Sequence, residues 1–85
     1  MKDMYYLEAR YDNRNSFYNK AVVFFEGDKR ILYSYHTKVA EIKGNKAIVY
    51  GAFSQTTLRH IKEFLKQNGF KAENRKQILK DYKNI

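Results

Sequence analysis

The strongest constraint in this sequence is a change of side-chain chemistry near residue 53. Before that point, short runs rich in Tyr, Val, Ile and Phe are separated by polar clusters containing Asn, Asp or Gly. Such runs suit a pleated, half-buried surface. Beyond it the chain is rich in Lys, Gln, Glu and Leu, which lose little rotamer freedom in a helix. Strands followed by helices within 85 residues imply one α+β domain. The expected architecture is a four-stranded antiparallel sheet, a meander, followed by two C-terminal helices packed on one face.

Strand 1 is expected over about residues 4–11, where Tyr5, Leu7, Ala9 and Tyr11 alternate with Tyr6, Glu8 and Arg10. The cluster from Asp12 to Ser16 reads as a loop. Strand 2 follows from Phe17 to Glu26, and Gly27-Asp28 signals a tight hairpin. Strand 3 starts near Arg30 and runs past Thr37 to Ile42, with a bulge near His36-Thr37 where the alternation falters. Gly44-Asn45 signals a second hairpin, and strand 4 covers Lys46 to Tyr50.

The first helix is expected over about 55–68. Ser54 is a good N-cap, because its hydroxyl can accept from an orphan N–H of the first turn. Phe53 and Leu58 have the spacing of a hydrophobic staple. Leu58, Ile61, Phe64 and Leu65 form one apolar stripe. Gly69 and Phe70 fit the two positions after a helix that ends in a Schellman motif, with Phe70 reaching back to Leu65. A second helix, about 75–82, starts after Asn74, which stands at capping-box spacing from Gln77.

Several chemistries are disfavoured. There is no cysteine, hence no disulfide or thiolate metal site. The histidines His36 and His60 share no zinc-type spacing. No phosphate-binding glycine loop and no nucleophile elbow is present. His60 reads as an exposed or half-buried helix residue, and no cofactor, metal or catalytic residue is assigned. The longest unbroken apolar run, Ala21 to Phe25, is far shorter than the roughly 20 residues of a membrane span. A soluble, cytoplasmic protein is expected, with no membrane partner.

Charge points to a polyanion. Seventeen Lys and Arg stand against nine Asp and Glu, a net charge of +8. Arg59, Lys62 and Lys66 recur at steps of three and four on the first helix, and so share one face. Arg75 and Lys76 open the second helix, where the helix dipole disfavours positive charge. These five are the candidate phosphate contacts of a sequence-tolerant DNA- or RNA-binding module. A solvated face that keeps a small protein soluble explains the same charges more blandly. The match to a DNA-reading helix–turn–helix around Gly69 is poor.

The chain also has eight Tyr and six Phe. Tyr6, Tyr18, Tyr33, Tyr35 and Tyr50 fall on expected strands. Such a row could stack the bases of a single strand, or stiffen a small core through cross-strand pairs. It could also form a protein interface, for which Arg14, Tyr18, Tyr33 and Tyr35 are the candidates. A homodimer formed through the uncovered sheet face or an edge strand is the third expectation.

Three stretches carry a resemblance: Tyr11-Asp12-x-Arg14-x-Ser16-Phe17-Tyr18-x-Lys20-Ala21, then Leu32-Tyr33-Ser34-Tyr35-x-Thr37-Lys38-Val39-Ala40, then Thr56-Thr57-x-Arg59-His60-Ile61-x-Glu63-Phe64-Leu65-x-Gln67-x-Gly69-Phe70. Together they resemble a family of small uncharacterised proteins encoded by phages, plasmids and conjugative elements of Gram-positive bacteria. The likeness runs from Tyr5 to Tyr82 and brings no catalytic or binding residue with it. It implies an accessory factor of a mobile element, either a nucleic-acid binder or an inhibitor of a host or defence protein.

Overall fold

The computed structural model describes residues 3–10, 17, 20–50 and 54–82. Five strands come first: β1 (Met4–Tyr6), β2 (Ala21–Glu26), β3 (Lys29–Ser34), β4 (Thr37–Lys43) and β5 (Lys46–Val49). Helices α1 (Gln55–Gln67) and α2 (Arg75–Tyr82) follow. The strands form one antiparallel meander in chain order. The α+β class and the strands-then-helices order match the expectation from sequence; the strand count of four does not.

The extra strand comes from a turn that carries no turn residues, so that the faltering alternation near His36-Thr37 reads as a bulge. Residues 30–42 read as one long strand, but the chain reverses at Tyr35-His36, giving β3 and β4. Both residues have positive φ, 52° and 70°. A two-residue hairpin loop with positive φ at both positions is the conformation for which Asn-Gly is preferred, and here it is made by Tyr and His. Each bulky side chain in that region costs about 1–2 kcal/mol. At the Gly27 and Gly44 hairpins glycine supplies the positive φ, 63° and 60°, at little steric cost. The expected bulge is also displaced. It falls at Val39, between the pairs Leu32 with Ala40 and Tyr33 with Lys38.

The first two strands are shorter than expected. Leu7 N–H still donates to the Ala21 carbonyl at 2.8 Å, but Lys20 N–H turns back onto the Phe17 carbonyl at 2.9 Å. Among the described residues the pairing of β1 with β2 goes no further than Leu7 and Ala21. Leu7 and Phe17 are nonetheless buried in the core, and Ala9 packs against it.

The helices are capped as their sequences require. The Ser54 hydroxyl accepts from Thr57 N–H at 3.2 Å. At the other end Phe70 N–H donates to the Leu65 carbonyl at 2.8 Å and Gly69 N–H to the Lys66 carbonyl at 3.1 Å, the Schellman pair. Asn74 caps α2 through Gln77 N–H at 2.8 Å. The Gln77 side chain reaches back one residue further than a capping box, accepting from Glu73 N–H at 2.7 Å. The proposed staple residue Phe53 lies outside the described residues.

Strand pairing sorts the side chains onto two faces. Ala21, Val23, Leu32, Ala40, Ile42, Ala47 and Val49 point inward and are buried. Leu58, Ile61, Phe64 and Leu65 of α1 and Ile78 of α2 join them in one cluster. Helix α1 lies over β3 and β4, and α2 over β5. Each large aliphatic or phenyl group buried there contributes about 1.5–3 kcal/mol. Both helices are spent on this inner face.

Candidate nucleic-acid interface

The charged helix residues occupy two separate places. On α1, Arg59, Lys62 and Lys66 are each half-buried and lie between the buried positions, on the side turned away from the sheet. One stripe therefore carries all three. Arg75 and Lys76 stand in the first turn of α2, which packs against a different strand. The five sequence candidates are thus split between two helices.

His60 is not the exposed or half-buried residue that its sequence context suggests: it is 1% exposed. Its Nδ1 lies 2.8 Å from the Ser34 hydroxyl, which lies 3.1 Å from the Thr57 hydroxyl. Ser54 donates to Thr57 Oγ1 at 3.2 Å. Phe17 packs edge-on to the imidazole at 4.6 Å, and the Tyr35 ring sits 5.8 Å from it. A serine beside a histidine is half of a nucleophile constellation. Here both are enclosed in the core and their polar atoms are satisfied, so the group joins β3 to the N-terminus of α1. The same bonds employ Ser54 and Thr57 in capping α1. Glu63, also buried, accepts from the Gln67 amide.

Among the described residues, no helix lies over the outer face of the sheet. Its residues fall into three rows running across the strands. The first is Glu26, Lys29, Lys43 and Lys46, each paired directly with the next. The second is Met4, Phe24, Ile31, Glu41 and Ile48. The third is Tyr6, Val22, Tyr33 and Lys38. Phe24 and Tyr33 meet edge-to-face at 5.2 Å. Tyr6 is 49% exposed and Phe24 39%.

Three lysines in adjacent register are unusual, because like charges directly opposite on a sheet repel. Part of that charge is met by Glu41. Its carboxylate lies 3.1 Å from Lys38 Nζ and 3.9 Å from Lys29 Nζ, and accepts from the Tyr50 hydroxyl at 3.0 Å. Burial pushes the Glu41 carboxyl up, but the hydrogen bonds from Lys38 and Tyr50 and the nearby lysine charges outweigh it and hold its pKa below the usual 4.5. The hydrogen bond to Glu41 raises Lys38 in return. Burial and the same carboxylate raise Tyr50. Lys38 also stands over the Tyr50 ring, 5.0 Å from its centre. Lys43 and Lys46 lie outside this group of contacts and are exposed.

A groove of about 700 Å³, lined in part by Tyr6, Phe24, Tyr33, Tyr35, His36 and Lys20, meets the first row at Glu26, the residue paired with Lys29. The strained Tyr35-His36 turn closes one end, and Tyr35 is 50% exposed. Of the four candidates for a protein interface, Tyr33 and Tyr35 both border this groove. Arg14 and Tyr18 lie outside the described residues. Tyr35 sits in a turn rather than a strand, and Tyr50 follows β5.

Sequence reasoning missed the lysine row, Phe24 and His36. Half of the row was available, since a two-residue loop at Gly44-Asn45 forces Lys43 opposite Lys46. Placing Lys29 opposite Lys43 required the Tyr35-His36 turn, which carries no turn residues.

Among the described residues, no group of three His, Asp or Glu could hold a metal ion. No helix among them is long and apolar enough to cross a membrane. The model of a family of unknown function, DUF8033, matches residues 5–81. The chain belongs to that family. No curated protein and no solved structure matches it.

Proposed function

We propose that this protein is a small binding module, not an enzyme, that takes nucleic acid on the outer face of its sheet, with phosphates on the row Lys29, Lys43 and Lys46. The observation that supports this reading best is the register of those lysines. The fold sets three cations side by side; Glu26 and Glu41 offset Lys29, and a polyanion relieves the repulsion left between the exposed Lys43 and Lys46. The stripe of Arg59, Lys62 and Lys66, with Arg75 and Lys76, is the second candidate surface. Its spacing is also that of any solvated helix face. An accessory role on a mobile element is the setting that the family resemblance implies, and the short apolar runs favour the cytoplasm.

The exposed rings of Tyr6, Phe24 and Tyr35 favour a second reading, an inhibitor or adaptor that docks a host or defence protein through Tyr33 and Tyr35. Anisotropy of a labelled oligonucleotide over a series of salt concentrations separates the two. A phosphate-binding module loses affinity steeply with salt, with a log–log slope of about −0.7 to −0.9 per phosphate neutralised. The double reversal Lys43→Glu with Lys46→Glu should abolish binding, and Lys62→Glu with Lys66→Glu should weaken it only modestly. The opposite ranking would move the interface to α1. No binding at low salt would leave the protein-docking reading.

A further inference from the structure

Resting on that reading, we infer that the ligand is single-stranded and that its bases stack on the exposed aromatic rings of the outer-face groove. A duplex presents phosphates but keeps its bases stacked inward, so it has no use for rings on the protein. A single strand offers both chemistries at once. Bases stack on aromatic side chains whatever their sequence, and cations track the backbone. The outer face supplies the two side by side. Phe24 lies two residues along β2 from Glu26, the residue that pairs with Lys29 at the end of the lysine row. Tyr6 and Tyr33 lie one row beyond Phe24. At about 3.4 Å per residue and about 4.8 Å per strand, Lys29, one strand over and two residues along from Phe24, is about 8–9 Å away, so a nucleotide with its phosphate on Lys29 reaches the Phe24 ring with its base. Three rings suit two or three bases, the number a small sheet surface stacks in other single-strand binders.

Charge argues for the same occupant. Lys20, Lys29, Lys38, Lys43 and Lys46 edge or face this surface, against Glu26 and Glu41. Glu41 is only 8% exposed and is held by Lys38, Lys29 and Tyr50. The acid nearest the centre is therefore neutralised within the fold, and the excess of cations faces out. The Tyr35-His36 turn adds a strained, exposed aromatic and an imidazole at the far end of the groove. Strain of this kind persists at ligand-binding positions when the surrounding structure enforces it.

The test uses the full chain and two labelled probes, an oligothymidine and a hairpin duplex with the same number of phosphates. Oligothymidine should bind at least about tenfold more tightly. The pair Tyr6→Leu with Phe24→Leu, which keeps the surface apolar but removes the rings, should weaken oligothymidine binding about tenfold and leave duplex binding unchanged. His36→Gly, which relieves the turn without touching the core, provides a second variant that folds at least as well and should also weaken oligothymidine binding. Equal or tighter duplex binding, or no effect of removing the rings, would overturn the single-strand assignment while leaving a charged nucleic-acid surface intact. Failure of both probes to bind at low salt would overturn the reading beneath it. A dimer in light scattering that the Leu pair dissociates would overturn the assignment in favour of a second copy of this chain. Competition by polyglutamate as strong as by unlabelled oligothymidine would overturn it in favour of an acidic protein.

Discussion

The two faces of the sheet share the same strands yet are built on opposite terms. The inner face is apolar, covered by two helices and closed over a satisfied polar group at Ser34, Thr57 and His60. The outer face keeps aromatic rings in contact with solvent, sets Lys29, Lys43 and Lys46 in one row, and ends in a turn with two bulky residues at positive φ. Alternation along a strand makes this division possible, since successive side chains point to opposite sides. The inner face accounts for stability. The outer face carries costs that stability alone does not explain, and such local conflicts are expected where a protein binds.

Truncating a ring on each face should widen the contrast most. Phe64→Ala removes a fully buried ring and should cost about 3–5 kcal/mol, enough to unfold much of a small domain. Phe24→Ala should cost about 1 kcal/mol or less, the worth of one edge-to-face contact at the surface. Urea denaturation of both variants measures the difference, and equal losses would erase the distinction between the faces.

Next in size is the polar group. Ser34→Ala takes a buried hydroxyl from both His60 and Thr57 and should destabilise by about 1–3 kcal/mol. If catalysis rather than packing held this group, the same change would leave the melting temperature unmoved.

On the outer side the sign reverses. His36→Gly replaces a residue at φ 70° with the one that tolerates it, and should stabilise by about 1 kcal/mol. In a domain of this length that raises the melting temperature by about 4–8 °C. Lower stability would show that His36 makes a contact worth more than its strain.

The smallest effect is a pH dependence. The folded-state pKa of Glu41 lies below its ordinary value. The stability it supplies is therefore present above the unfolded pKa and lost as pH falls through the folded one. Lys38 is raised, so its share is present below the ordinary lysine pKa and lost as pH rises through the raised one. Both depend on the same pair. Glu41→Gln should lower the melting temperature at neutral pH, and its gap from the wild type should narrow below about pH 4. A gap constant with pH would detach Glu41 from its lysines.

How much of this was legible in the sequence follows the same division. The caps of α1 and α2 and the apolar stripe of α1 could be read directly, because capping and helical periodicity are local rules obeyed by adjacent residues. The inner-face strands followed from alternation. The fifth strand did not, because Tyr35-His36 adopts a backbone that its side chains disfavour, and a reading based on preference cannot find a position where preference is overridden. The lysine row was hidden for the same reason, since its register depends on that turn. His60 looked like an ordinary helix residue because its partner Ser34 is 26 residues away and reaches it only through the fold.

The most direct test of the division of labour is an amide NMR titration of the full chain with oligothymidine. The account predicts that the largest shifts fall on Phe24, Tyr33, Lys43 and Lys46 and at the Tyr35-His36 turn, with Arg59, Lys62 and Lys66 little changed. Shifts concentrated on Arg59, Lys62 and Lys66, with the outer face of the sheet still, would contradict it.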